Sequence, residues 1–156
     1  MIQIACLFDK GSRFPLMIAE GLVKRKDVNV RFNKPVVWLG KVLANAALPS
    51  DLCSYLFECD YILLPNLDHF RELWILRFID SNNLWHKVVV FDFKDSPSLD
   101  TYLFQRCFAY FKRSWPIGPE RKPRILKEYT KLVLPLNYCV LDAHLQVLSA
   151  RSGERP

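Results

Sequence analysis

The chain has 156 residues, of which 51% are hydrophobic, 13% aromatic and 24% charged, and it carries a formal net charge of +6. That length fits one ordinary domain, and that apolar share excludes an intrinsically disordered chain. No apolar run approaches the roughly 18 residues of a membrane span, which predicts a soluble domain.

Ile2 to Phe8 is a short apolar run that reads as a strand covered on both faces, closed by Asp9-Lys10-Gly11-Ser12. Pro15 to Val23 reads as a helix. Pro15 suits a first turn, where a missing N–H costs nothing, and Leu16, Ala19, Leu22 and Val23 make an apolar face. Val28 to Phe32 alternates with period two, as a strand nearer a sheet edge does. Leu39, Val42, Leu43, Ala46 and Ala47 fall at helical spacing, with Pro49 as the stop and Ser50 as the cap of a short helix from Asp51 to Glu58. Tyr61 to Leu64 is a third strand, ended by Pro65 and Asn66.

Leu67 to Ile79 reads as a helix that is apolar around more than one face, so it is either deeply packed or presents an aromatic patch to a partner. Ser81 to Asn83 is a turn, and Lys87 to Phe93 combines β-branched and aromatic residues into the clearest strand of the chain. Ser96-Pro97-Ser98 opens a helix whose face uses Leu99, Leu103, Cys107, Tyr110 and Phe111. A basic loop runs from Trp115 to Pro123, and Lys131 to Leu134 is a fifth strand.

Strands alternating with helices over short links predict an α/β fold, a Rossmann-like or flavodoxin-like three-layer sandwich with a mostly parallel sheet of about five strands. Residues 1–150 form one domain in this reading, and 151–156 a flexible tail. Ligands of such sheets bind at the carboxyl ends of the strands, near the reversal of strand order. The loops to inspect are therefore Asp9 to Phe14, Pro65 to His69, Asp92 to Ser98 and Leu136 to Asp142.

In the first of these loops Gly11 and Ser12 offer a backbone turn and a hydroxyl where a phosphate meets a helix N-terminus, although neither a dinucleotide fingerprint nor a P-loop is present. Asp9 invites comparison with phosphoacceptor domains, but the third strand ends in Leu64-Pro65-Asn66, without the carboxylate that a phosphorelay needs. Asn66 and His69 stand at the end of that strand. The densest polar cluster is Asp92-Phe93-Lys94-Asp95-Ser96, where Asp92 and Asp95 suit sugar hydroxyls, a cation or a base, and equally suit caps of turns and helix starts. His69, His86 and His144 share no metal-ligand spacing with one another or with a cysteine, so no metal site is expected, and no motif assigns a cofactor.

Lys112 and Arg113 open a basic stretch that continues through Arg121, Lys122, Arg124, Lys127 and Lys131. Its charge predicts a face turned to water, suited to phosphate or an anionic membrane surface rather than to nucleic acid. Cys6, Cys53, Cys59, Cys107 and Cys139 form no C-x-x-C pair and read as buried free thiols of a reducing, cytoplasmic compartment, with peripheral membrane contact left open.

Two stretches carry a family resemblance: Val88-Val89-Val90-Phe91-Asp92-Phe93-Lys94-Asp95-Ser96, and Tyr110-Phe111-Lys112-Arg113-Ser114 followed by Leu134-Pro135-Leu136-Asn137-Tyr138. Together they resemble the N-terminal half of bacterial glycosyltransferases of the GT-B type. The resemblance covers mainly residues 88–138 and contains no catalytic signature. It implies a nucleotide-sugar or saccharide ligand and a second α/β domain across a cleft, with this chain as an acceptor-side half that is not catalytically complete by itself. Asp92, Lys94, Asp95 and Gly11 would then lie near the cleft, with Lys112 and Arg113 favouring an anionic acceptor. The alternative is a non-enzymatic interaction module that forms a homodimer through the aromatic helix and binds an anionic partner through the basic stretch.

Overall fold

A computed structural model describes residues 1–8, 13–38, 41–65, 72–94, 98–113 and 133–135. The strands are β1 (Ile2–Cys6), β2 (Val28–Phe32), β3 (Val36–Trp38), β4 (Lys41–Ala44), β5 (Tyr61–Pro65), β6 (Val88–Asp92), β7 (Ala109–Lys112) and β8 (Val133–Pro135). The helices are α1 (Arg13–Val23), α2 (Pro49–Glu58), α3 (Leu73–Ser81) and α4 (Thr101–Arg106), with a 3₁₀ turn over Leu84–Lys87. Six strands form one sheet in the order β2-β1-β5-β6-β7-β8, and every neighbouring pair in it is parallel.

Parallel strands require crossovers, and the crossovers bury both faces of the sheet. On one face Ala5, Leu7, Ile62, Leu64, Val88, Val90 and Tyr110 pack against Leu52 and Leu56 of α2, Ile75 and Ile79 of α3, and Leu103 and Phe104 of α4. On the other, Ile4, Cys6, Phe8, Phe32, Leu63 and Val89 meet Ile18, Ala19 and Leu22 of α1, together with Val36 and Ala44. Right-handed crossovers require this division, because the chain steps one way from β1 to β2 and the opposite way from β2 to β5 and beyond. The architecture is thus the doubly wound α/β sandwich expected from the strand–helix alternation, with β2 at a sheet edge as its period-two pattern implies.

Three expectations are corrected. The helix proposed on Leu39, Val42, Leu43, Ala46 and Ala47 is a small antiparallel hairpin, β3 with β4. Its physical period is two: Val36 is buried while Val37 and Val42 are exposed, and Ala46 bridges in parallel to Phe32 at the edge of the main sheet. Pro49 begins a helix instead of stopping one, occupying the first turn of α2, and Ser50 is not its cap. The helix after Asp95 does not run through Tyr110 and Phe111. Asp100 caps α4 by accepting from the Leu103 amide, α4 is only six residues long, and the Phe108 amide then donates to the Val88 carbonyl at the start of β7. The helix read over Leu67–Ile79 is described from Leu73; residues 66–71 lie outside the described residues, as do 131–132 ahead of β8.

Local contacts close the remaining ends. Lys87 Nζ donates to the Phe57 and Cys59 carbonyls at 2.6 and 2.8 Å, satisfying the carboxyl end of α2 from the 3₁₀ turn that follows α3. Asn83 takes the left-handed conformation, φ 52°, that ends the α3 turn. Cys6, Cys59 and Cys107 are buried free thiols, Cys53 is half-buried, and Cys139 lies outside the described residues. Among the described residues no helix is long and apolar enough to cross a membrane.

Within α2, Leu56 is fully buried while its neighbour Phe57 is half exposed and makes a T-shaped contact with Phe78. Leu56→Ala should therefore cost about 2–5 kcal/mol in urea unfolding, and Phe57→Ala distinctly less. Equal losses would contradict the orientation of α2.

Candidate functional site

The chain leaves β1 for β2 on one side and returns to β5 on the other, so strand order reverses at β1. The crevice outside the carboxyl ends of β1 and β5 is the position where an open parallel sheet offers its ligand site. Gly11 and Ser12 follow β1 in the sequence, and Asn66 and His69 follow β5; all four lie outside the described residues. The ends of the two strands they follow are side by side, since Cys6 is in register with Leu63 and the Leu7 amide donates to the Leu63 carbonyl at 2.9 Å.

Two features not singled out in the sequence lie at this end of the sheet. Asn33, just after β2, uses both ends of its side-chain amide on the backbone of one residue: its Oδ1 accepts from the Phe8 amide at 2.9 Å and its Nδ2 donates to the Phe8 carbonyl at 3.0 Å. The side chain thereby continues the sheet pairing one residue past the strands and fixes the direction in which the chain leaves β1. Phe8 is buried and packs edge-on against Phe32 at 6.0 Å. Lys34 Nζ lies 2.7 Å from Glu72 Oε1, with each side chain about one-fifth exposed (20% and 21%). This pair links the segment leaving β2 to the start of α3, at the carboxyl end of the sheet and across β1. An asparagine followed by a lysine after an edge strand is too common a pattern to reveal either contact from sequence.

The second cluster lies two strands away. Asp92 ends β6, and Tyr110 and Lys112 are two apart on β7, so strand alternation puts all three on the face that α4 covers. Asp92 Oδ2 accepts from Tyr110 Oη at 2.7 Å and from Lys112 Nζ at 2.9 Å, while Oδ1 accepts from the Lys94 amide at 3.0 Å. Lys112 Nζ also donates to the Lys94 carbonyl at 3.1 Å, and the Tyr110 hydroxyl accepts from the Asp100 amide at 3.2 Å. Asp92 and Lys112 are both 0% exposed. A charge pair without water survives only when its remaining hydrogen-bonding groups are also satisfied, and this network supplies that.

The expectation that Lys112 faces water is thereby corrected: it is the last residue of β7, fully buried, and its ammonium is compensated by the Asp92 carboxylate opposite and by the Lys94 carbonyl. Asp92 likewise takes the turn-capping role rather than that of an open sugar-binding or basic group. Arg113 is half-buried, and its amide donates to the Asp92 carbonyl at 3.0 Å. The Lys94 backbone belongs to the network at both its N–H and its C=O. Asp95 lies outside the described residues. Among the described residues no group of histidine, cysteine and carboxylate side chains is arranged to hold a metal ion.

Burial, reinforced by the Asp92 carboxylate, drives the Tyr110 phenol far above its ordinary value of 10.0. Cys6, at the foot of the crevice, is pushed up from 9.0 to about 12 by burial. Both groups are therefore held in their neutral forms. No protein-family model, characterised protein sequence or solved structure matches the chain at a significant level.

Lys112→Met leaves Asp92 buried without its counter-charge and should cost about 3–5 kcal/mol in urea unfolding, while the Asp92→Asn/Lys112→Met double variant recovers most of that loss. A single variant within about 0.5 kcal/mol of wild type would contradict the pairing.

The alkaline limb follows from the raised values. A pKa raised on folding gives stability that is complete below the unfolded value and lost as pH climbs through the folded one. The urea midpoint should hold steady up to about pH 9 and fall between there and about pH 12, with Cys6→Ala removing part of the slope. A midpoint that stays flat over that window would contradict the burial of both groups.

Proposed function

We propose that this chain is the acceptor-side half of a glycosyltransferase-like protein, holding a saccharide or nucleotide sugar in the crevice at the carboxyl ends of β1 and β5 for a second α/β domain to act on. The observation that carries the reading is the reversal of strand order at β1, with the crevice held by the Asn33 clamp on Phe8 and the Lys34–Glu72 ion pair. A carboxylate and an ammonium at its rim are the donor and acceptor types that hydroxyl-rich ligands need.

The two stretches that carry the family resemblance also meet physically: Asp92 comes from the first, and Tyr110 and Lys112 from the second. Their shared role is to tie the Lys94 backbone and the Asp100 amide to the ends of β6 and β7. The chain's role in this reading is binding and orientation, and the transfer chemistry is left to the second domain.

Nuclear magnetic resonance titration of the folded chain with nucleoside-diphosphate sugars and acidic oligosaccharides tests the proposal. At least one ligand should shift the amides of Phe8, Asn33, Lys34 and Glu72, and Asn33→Ala should weaken that binding about tenfold, equivalent to the loss of roughly 1.4 kcal/mol. Silence across the panel, or shifts confined to α3 and α4, would overturn it.

A further inference from the structure

The face formed by α3 and α4 has surface left over from packing the core. Ile75 and Ile79 are buried, yet Leu73, Trp74 and Tyr102 remain 60%, 42% and 40% exposed. Leu73, Leu76, Arg77, Asp80 and Tyr102 line a groove of about 340 Å³. Its wall is held by several contacts: Trp85 donates its Nε1–H to Asp80 Oδ1 at 2.9 Å and makes a T-shaped contact with the Tyr102 ring at 5.8 Å, and the Arg106 guanidinium lies 4.0 Å over that ring. Arg77 and Asp80 are three residues apart and so share one side of α3, yet they do not pair with each other, and no ion pair engages Arg77 among the described residues.

From this arrangement we infer that the α3–α4 face binds a second copy of the same chain through a two-fold axis. In two helices packed antiparallel by such an axis, facing positions have a constant sum. Setting Arg77 opposite the partner copy's acidic position at 80 therefore sets the reciprocal pair as well, and both charges on each copy are matched at once. The same arrangement carries Leu73 of each copy toward the far end of the other's groove, where Tyr102 lies. From residue 73 to residue 80 the helix rises only about 10 Å, so apolar end and charged centre fit within one contact. The matched charges favour an identical partner: one α3 provides both the acid and the base that the other requires. The inference does not depend on what occupies the crevice at β1.

Charge reversal tests it, read by light scattering on size-fractionated protein. The wild type should show twice the 18.3 kDa chain mass, and Arg77→Asp and Asp80→Arg should each run at the chain mass. Mixing the two variants should restore the doubled mass, because the two acidic positions of one then face the two basic positions of the other. Wild type that stays at 18.3 kDa at every concentration, single variants that dimerise like wild type, or a mixture that stays monomeric would each overturn the inference. Asp80 also holds Trp85, so if Asp80→Arg does not fold, Leu73→Asp takes its place: it should lower the dimer fraction several-fold, and an unchanged fraction would count against the interface. Loss of ligand binding with the doubled mass intact would strike only the crevice reading.

Discussion

A carboxylate and an ammonium buried together at the carboxyl end of a parallel sheet constrain everything around them. Taking either charge out of water is unfavourable by several kcal/mol, and the interior tolerates the pair only because its hydrogen bonds are shared out almost completely. Asp92 accepts three of them, and Lys112 divides its donors between that carboxylate and the Lys94 carbonyl. The consequence is mechanical. β6, β7, the Lys94 backbone and, through Tyr110 and Asp100, the start of α4 are tied to one another by these bonds. The polar residues that look most like a reactive site in the sequence are the ones that fasten this end of the domain.

That assignment moves the proposed ligand site to the opposite half of the sheet. The reversal of strand order at β1 marks the place where such sheets bind ligands, and Asn33 and the Lys34–Glu72 pair lie beside it. α3 joins the two regions: its start carries Glu72, paired with Lys34, and its outer surface carries Leu73, Trp74 and Arg77. Ligand binding and self-association through one short helix would be coupled wherever a ligand contact at Glu72 shifts the axis of α3.

Much of the fold was legible in the sequence because burial on two faces writes a strong pattern. Ile2 to Phe8, Tyr61 to Leu64 and Val88 to Phe93 are continuous apolar runs of strand length, and Val28 to Phe32 alternates as an edge strand does. What misled was ambiguous spacing. Leu39, Val42, Leu43, Ala46 and Ala47 satisfy a helical period, yet the hairpin uses Val36 inward and Val37 outward. Tyr110 and Phe111 fall at helical intervals from Leu103 and Cys107, and only the Asp100 cap and the pairing of Phe108 with Val88 divide that run into a short helix and a strand. Lys112 reads as the first residue of a basic, solvated stretch because its partner lies 20 positions away, a distance no local pattern spans. The Asn33 clamp was illegible for the same reason, since its peptide partner is 25 positions off.

The order of the carboxyl end of β6 and β7 depends on the buried Asp92–Lys112 pair. Native-state hydrogen exchange at the Lys94, Asp100 and Arg113 amides, each of which donates into the Asp92–Tyr110 network, measures this directly. Protection equal to that of the central strands β5 and β6, lost only on global unfolding, is the predicted result. Exchange at those three amides while the strands remain fully protected would contradict it.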